Sequence, residues 1–223
     1  MAESHLTERA EYDARWAGAQ SGQCGYSAEN IGYTPNFLRF MDAGLAGLPT
    51  PVRALEVGCG DGFFTGQLAQ RGCDATGIDL SPVGVEAAQK RFPHARFQVH
   101  DLTQPMPFPD GSFDFIGCSE VLEHLFSPLA VLEEMRRVLR PGGRARLTVP
   151  YHGLIKNLGI ALFAFERHYD PTYPHIRFFT RKSLADLVRR AGLTVESVGA
   201  CGSNLGMRDL LVKTNILLAA RRD

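Results

Sequence analysis

Arg53-Ala54-Leu55-Glu56-Val57-Gly58-Cys59-Gly60-Asp61-Gly62-Phe63-Phe64 decides how this chain reads. A short apolar run, Arg53 to Val57, breaks into three alternate glycines, and a helix-like segment, Phe63 to Arg71, begins directly after them. Glycine lets a backbone turn tightly and approach a ligand closely. A helix N-terminus adds free N–H groups. The next strand-like run, Asp74 to Asp79, ends in a carboxylate that can accept both hydroxyls of a ribose. The turn therefore reads as a nucleoside-binding loop. Outward from it, Val83 to Arg91 is helix-like, and Arg96 to His100 and Phe113 to Cys118 are strand-like. Leu129, Leu132, Met135, Val138 and Leu139 recur at helical spacing, and Pro141-Gly142-Gly143 stops that helix before a strand at Arg144 to Val149. A helix at Arg181 to Ala191 and two strand-like runs, Thr194 to Ala200 and Leu210 to Ala220, close the chain. Alternating strands and helices with short connections predict a doubly wound α/β fold, a mostly parallel sheet with helices on both faces. Ligands in such sheets sit beyond the C-terminal ends of the strands.

Composition narrows the function classes. Lys plus Arg equals Asp plus Glu, 24 against 24 in 223 residues, which argues against a chain-wide grip on nucleic acid or anionic lipid but not against a local patch. The best apolar run, Leu154 to Phe165, is too short to span a bilayer and carries Lys156 and Asn157. Cys24, Cys59, Cys73, Cys118 and Cys201 are scattered with no C-x-x-C pair, which suits a reducing compartment. A cytoplasmic protein, monomer or homodimer, is expected. Residues 1–50 hold two helix-like segments, about Leu6 to Trp16 and about Pro35 to Ala46, around a polar stretch from Ser21 to Gly32, and are expected to form an N-terminal helical lid. Residues 51–223 form the core, with 151–180 expected as a substrate-lid insertion. Tyr26, Tyr33, Tyr151, His152, Phe163, Phe165, Tyr169 and Tyr173 make these flanks aromatic-rich, as the wall of a small, partly apolar acceptor pocket would be. Thr180 reads as the N-cap of the following helix.

The glycine pattern chooses between two ribose ligands. Nicotinamide dinucleotides take G-x-G-x-x-G, whose third glycine lets the helix pack under a pyrophosphate. Here that position is Phe63, and Glu56 places a carboxylate two residues before the first glycine. A fixed negative charge disfavours a pyrophosphate and suits a ligand with a cationic end.

At this point the chain resembles the class I S-adenosylmethionine (SAM)-dependent methyltransferases. Four ordered segments carry the resemblance: Leu55 to Gly62; Gly77-Ile78-Asp79-Leu80-Ser81; Asp101-Leu102; and Phe113-Asp114 to Leu125 followed by Val138-Leu139-Arg140-Pro141-Gly142-Gly143. It implies a Rossmann-like, seven-stranded sheet whose last strand, Leu210 to Ala220, is antiparallel. It also implies that Glu56 and the loop of Gly58, Cys59, Gly60 and Gly62 hold the methionine part and the adjoining sugar. By the same resemblance Asp79 takes the ribose, Leu80 packs on adenine, Asp101 and Leu102 meet the adenine amino edge, and Cys118 and Ser119 border the sulfonium.

Ser119-Glu120-Val121-Leu122-Glu123-His124-Leu125 is the candidate catalytic segment. If Glu120 opens a helix, Glu123 and His124 share its side. Glu120, Glu123 and His124 could then hold a divalent ion such as Mg²⁺ or Mn²⁺, with His152 or His175 as a fourth ligand. Similar E-x-x-E-H segments occur in metal-assisted O-methyltransferases of quinone biosynthesis and of small-RNA 2′-O type. The metal-free reading places Glu120 in the pocket wall, Glu123 toward solvent or an arginine, and His124 under the next helix. Glu120, His124 and His175 are the catalytic candidates in either case. O-methylation of a small molecule in quinone, saccharide, lipid or specialised-metabolite biosynthesis is expected. C- or N-methylation, a small-RNA acceptor and a non-enzymatic SAM-binding interaction module are the alternatives. Nucleic acid is disfavoured by the neutral charge balance, and the Arg136-Arg137 and Arg189-Arg190 pairs read as solvated surface.

Overall fold

The computed structural model describes residues 10, 13–14, 32, 34–168, 175–202 and 214–223. The expected helix around Leu6 to Trp16 (save positions 10, 13 and 14), most of the stretch from Ser21 to Gly32, and Cys24, Tyr26, Tyr33, Tyr169 and Tyr173 lie outside them.

Seven strands form one sheet in the order β3-β2-β1-β4-β5-β7-β6. They are β1 (Arg53–Val57), β2 (Asp74–Asp79), β3 (Arg96–Val99), β4 (Phe113–Ser119), β5 (Leu139–Pro150), β6 (Thr194–Cys201) and β7 (Asn215–Arg221). The first five are parallel neighbours, and β7 runs antiparallel between β5 and β6. The last strand thus has the expected sense but begins at Asn215. Residues 210–213, the start of the expected strand, lie outside the described residues.

Helices cover both faces. They are α1 (Thr34–Leu45), α2 (Phe63–Gln70), α3 (Pro82–Arg91), α4 (Pro128–Val138), α5 (Leu154–Phe163), α6 (Phe165–His168) and α7 (Arg181–Arg190). Strand side chains alternate between the faces. In β1, Ala54 joins Phe37, Met41, Phe64 and Phe115 on one side, while Leu55 and Val57 join Ile78, Leu132, Leu147, Leu184 and Leu218 on the other. Burying a side chain of this size contributes about 1.5–3 kcal/mol. Helix α1, expected as lid, is part of this core. Its Gly44 leaves so little room that a Cβ there would lie 2.7 Å from Phe115. Among the described residues no helix is long and apolar enough to cross a membrane.

Polar ties fix the bottom of the sheet and its loops. Arg53 and Arg140 converge on Asp114, donating from Arg53 N at 2.9 Å, Arg53 Nε at 3.1 Å and Arg140 Nε at 2.5 Å. Arg137 is not the free surface cation that its sequence context suggests. It bonds Glu134, Asp110 and the carbonyls of Met106 and Phe108, and so staples the β3–β4 loop to α4. Burial pushes the Asp114 carboxyl up, but the Arg53 and Arg140 bonds outweigh it and hold the group at about 2. A depressed carboxyl stabilises the fold above its unfolded pKa, near 3.9, and that stability is lost as pH falls through the folded value. Asp114→Ala is therefore expected to cost about 2 kcal/mol at neutral pH. In urea melts, the gap between variant and parent should close between about pH 4 and about pH 2.

Two departures from the sequence reading concern the far end of the sheet. Residues 151–168, for which no helix was read from the sequence, contain α5 and α6. Phe163 and Phe165, expected in a pocket wall, are 87% and 55% exposed.

Candidate active site

The site is built where β1, β2, β4 and β5 end. After Val57 the chain turns through Gly58 and Gly62, at φ 74° and 75°, which side chains with a Cβ rarely adopt. Space forbids one as well. A Cβ at Gly58 would lie 2.3 Å from Val121 Cγ2, and one at Gly62 would lie 2.6 Å from the Ala88 Cβ. The loop hangs from β2: Gly58 N and Cys59 N both donate to Ile78 O, at 2.8 and 3.0 Å. Asp79 braces it from below, Oδ2 accepting from Gly60 N at 2.8 Å and Oδ1 from Ser81 N at 2.9 Å. Burial raises the Asp79 carboxyl, and those two N–H bonds oppose the rise. Glu56 is almost wholly buried, accepts a hydrogen bond from the Thr65 hydroxyl, and is pushed by burial to about 8. The neighbouring charges of Asp61 and Asp79 push the same way. This is an electronegative cradle that rewards a cationic guest. Ser81 caps α3, and its hydroxyl also donates to Asp13, so the N-terminal segment touches the rim.

The remaining cofactor candidates stand at or just after the C-terminal ends of β2, β3 and β4. Leu80 is half-buried after β2. Asp101 Oδ1 accepts from Thr103 N at 2.8 Å, closing a turn after β3, and Leu102 packs on the larger core cluster. Cys118 is wholly buried in β4 with its thiol pushed up by burial, which makes it packing rather than chemistry. Ser119 Oγ lies 2.9 Å from Thr148 Oγ1 across to β5. Cys59, Cys73 and Cys118 are free thiols.

The catalytic segment departs from the helix that its spacing suggests. Glu120 takes φ 55°, a left-handed conformation costing about 1 kcal/mol or more for a residue with a Cβ. A single 3₁₀ turn, Leu122–His124, follows. The two carboxylates make different contacts, although the charge of Glu120 still reaches Glu123. Glu120 N donates to Thr148 O at 3.0 Å, and Glu120 Oε1 accepts from Thr148 Oγ1 at 2.9 Å. Burial pushes the Glu120 carboxyl to about 7 against the pull of the Thr148 and Asn215 hydrogen bonds. Glu123 instead turns inward. It is 0% exposed, and neither carboxylate oxygen has a hydrogen-bond partner among the described residues. Its Oε1 faces His124 Nε2 at 3.8 Å and His175 Nε2 at 3.9 Å, and the two imidazoles meet edge to face at 4.7 Å. Burial, and then the charge of Glu120, holds the Glu123 carboxyl well above the usual range.

The group with metal-ligand spacing is thus Glu123, His124 and His175, whose ligand atoms lie within 4.8 Å of one another. The expected trio of Glu120, Glu123 and His124 is not what the backbone assembles, and Glu123 faces neither solvent nor an arginine. His175 arrives on a strap. Ile176 N and Arg177 N both donate to Glu123 O at 3.0 Å, and Tyr151 bridges Phe179. His152, the other sequence candidate, packs on Phe178 and Asn157 instead. Sequence reasoning missed three polar residues at this opening: Thr148, Asn215 and Lys156. Lys156 Nζ donates to Tyr151 O at 3.1 Å, and burial lowers its pKa while the Glu120 charge raises it. The one available signal was a lone cation inside the apolar run of α5.

Fold and loop together are those of a Rossmann-like nucleotide- or nucleoside-binding domain. Residues 32–198 match the family described as a methyltransferase domain. The chain belongs to the class I SAM-dependent methyltransferases. It is 31% identical over 205 residues to the ubiquinone biosynthesis O-methyltransferase of Xanthomonas axonopodis pv. citri, covering 88% of this chain and 82% of that protein. It is 34% identical over 142 residues to the biotin biosynthesis bifunctional protein BioHC of Cellvibrio japonicus, 63% of this chain but only 27% of that protein. Among solved structures, the [4+2]-cyclase SpnF superposes with a TM-score of 0.71 at 20% identity, covering 98% of this chain and 96% of SpnF. At that identity the likeness concerns the fold.

Proposed function

We propose that this enzyme transfers the methyl group of SAM to a hydroxyl oxygen of a small, phenol-like acceptor, with a divalent cation held by Glu123, His124 and His175. The observation that carries the reading is the wholly buried Glu123 carboxylate, without a hydrogen bond among the described residues and facing two imidazoles. A buried unpaired carboxylate costs several kcal/mol, and a cation on its oxygens offsets that cost. Mixed carboxylate and imidazole ligation suits Mn²⁺, Zn²⁺ and other first-row ions better than Mg²⁺. When bound, such an ion supplies Lewis acidity that lowers the pKa of an acceptor hydroxyl. Relatives in ubiquinone biosynthesis support oxygen as the acceptor atom.

The chain's own groups divide the work. Glu56, pushed to about 8 when alone, ionises opposite the α-ammonium of SAM, and Asp79 accepts from the ribose hydroxyls. Gly58, Cys59, Gly60 and Gly62 let the backbone approach the sugar. Leu80, Asp101 and Leu102 bound the adenine, and Cys118 and Ser119 bound the sulfonium side. Glu120, at about 7 and held by Thr148, is poised to take the acceptor's proton near neutral pH. The sulfonium makes the methyl group electrophilic. The protein's share is to hold acceptor oxygen, methyl and sulfur in line. Of the segments expected as lids (1–50 and 151–180), Asp13 bonds Ser81 and His175 faces Glu123 at this site.

Incubating the chain with Mn²⁺, methyl-deuterated SAM and a catechol is expected to give a product in which one hydroxyl proton is replaced by a CD3 group, with the label on oxygen by NMR. Label on carbon or nitrogen, or no transfer to any phenol, overturns the reading.

A further inference from the structure

A threonine in a helix commonly points to solvent or bonds back to the preceding turn. Thr65, in α2, does neither. It is wholly buried, and its hydroxyl donates to Glu56 Oε2 across to β1. Its backbone bonds the same carboxyl. As the third residue of α2, Thr65 carries one of the N–H groups that the first turn of a helix leaves without an internal partner. One residue thus holds Glu56 by two donors, at the helix end that favours negative charge.

The sheet leaves room for this contact. Glu56 points to the same face as Ala54, two residues back, and that face packs against Phe64 and Leu68 of α2. Gly77 on β2 is the register partner of Glu56 on β1. Gly77 is not among the glycines with positive φ, so space and not backbone conformation bars a side chain there. A Cβ on Gly77 would lie 2.7 Å from Thr65 Oγ1 and 2.8 Å from Cys59 Cβ.

We propose that Thr65 is the positioning residue for the methionine end of SAM: it fixes the Glu56 carboxylate against the ligand's α-ammonium, and so lets the site tell a nucleoside that carries an amino acid from one that does not. The proposal rests on the reading of Glu56 as the partner of that ammonium. A carboxylate has about four lone-pair sites, and the two donors of Thr65 leave the others open to a charge-assisted bond. The other groups that face Glu56 give its ionised form no help. Asp61 in the loop and Asp79 on β2 push its carboxyl up, and burial raises the thiols of Cys59 and of Cys118 on β4, which keeps them neutral. Among the described residues, the bonds from Thr65 are what pull it back.

Calorimetry on the full chain compares S-adenosylhomocysteine with 5′-methylthioadenosine, which shares the adenine and ribose but has no amino-acid end. Thr65→Val keeps the shape and removes the hydroxyl. It is expected to weaken S-adenosylhomocysteine about tenfold and to leave methylthioadenosine within about twofold. Thr65→Ser should return S-adenosylhomocysteine to within about threefold of the parent. Added to Glu56→Gln, Thr65→Val should cost less than about twofold more, because the two side chains act as one unit. The deficit of Thr65→Val should be largest below about pH 8 and shrink above it, since the lost bond raises the Glu56 pKa and ionisation is complete once pH passes it. Methylthioadenosine weakened in step with S-adenosylhomocysteine, a serine that does not rescue, additive losses or a deficit indifferent to pH would make Thr65 ordinary packing and overturn the proposal. So would parental S-adenosylhomocysteine affinity in Thr65→Val. Parental affinity in Glu56→Gln would instead remove the ammonium reading itself, and the proposal with it, so the two failures are distinguishable.

Discussion

Asp79→Ala is expected to weaken S-adenosylhomocysteine binding at least about 100-fold in calorimetry. Each hydrogen bond from a ribose hydroxyl to a carboxylate is worth about 1.5–3 kcal/mol, so a pair amounts to about 100-fold to 10,000-fold. The same carboxylate accepts from Gly60 N and Ser81 N, so its loss also loosens the loop that meets the ligand. Asp79→Asn separates the two roles. It keeps the size and one acceptor oxygen but loses the charge, and should still cost about tenfold or more. A melting temperature close to the parent's in either variant shows that the loss is local. Affinity within about threefold of the parent in Asp79→Ala would sink the ribose assignment. NAD should bind neither parent nor variant, because Phe63 stands where a pyrophosphate-binding helix needs glycine and the buried Glu56 carboxyl, which a cationic ligand would ionise, meets no cation in a pyrophosphate.

The core was legible because its signals are local. Strand β1 is buried on both faces, so Ala54, Leu55 and Val57 read as a short apolar run around the one carboxylate of Glu56, and Gly58 and Gly62 after it stand where a Cβ would clash. Thr180 was recognisable as a cap, and its hydroxyl does accept from Ser183 N while Ser183 returns the bond. What could not be read was nonlocal. Glu123 and His175 are far apart in sequence and meet because two strap N–H groups converge on the Glu123 carbonyl, a contact with no residue signature. The left-handed turn at Glu120 was equally hidden. Its neighbour Val121 packs over Gly58, a contact between distant segments that helix propensity does not encode. Helix α5 misled for a third reason. An apolar segment reads the same whether it lines a pocket or faces outward, and only the exposure of Leu158 and Phe163 separates the two.

EDTA is expected to cut turnover at least about 100-fold, and Glu123→Ala to do the same in the presence of metal. The physical basis is the cost of leaving that carboxyl buried without a hydrogen bond, which already holds it far above the usual carboxylate range. A ligand that binds only the folded state stabilises it by about 2.7 kcal/mol at a hundred times its dissociation constant. Mn²⁺ or Zn²⁺ should therefore raise the melting temperature of the metal-stripped parent by several degrees, at about 2–4 °C per kcal/mol for a chain of this size. In Glu123→Ala that rise should vanish, while the stripped variant melts no lower than the stripped parent, because an unpaired buried carboxyl has been removed. A residue whose role is only packing would behave in the opposite way, lowering stability and leaving the response to metal intact. His175→Ala supplies the companion result. The strap is tied by the backbone of Ile176 and Arg177, so it should stay closed while metal affinity drops about tenfold or more. Full turnover in EDTA, with no metal found by mass spectrometry, would remove the cation from the mechanism and leave Glu120 and the imidazoles to handle the acceptor proton alone.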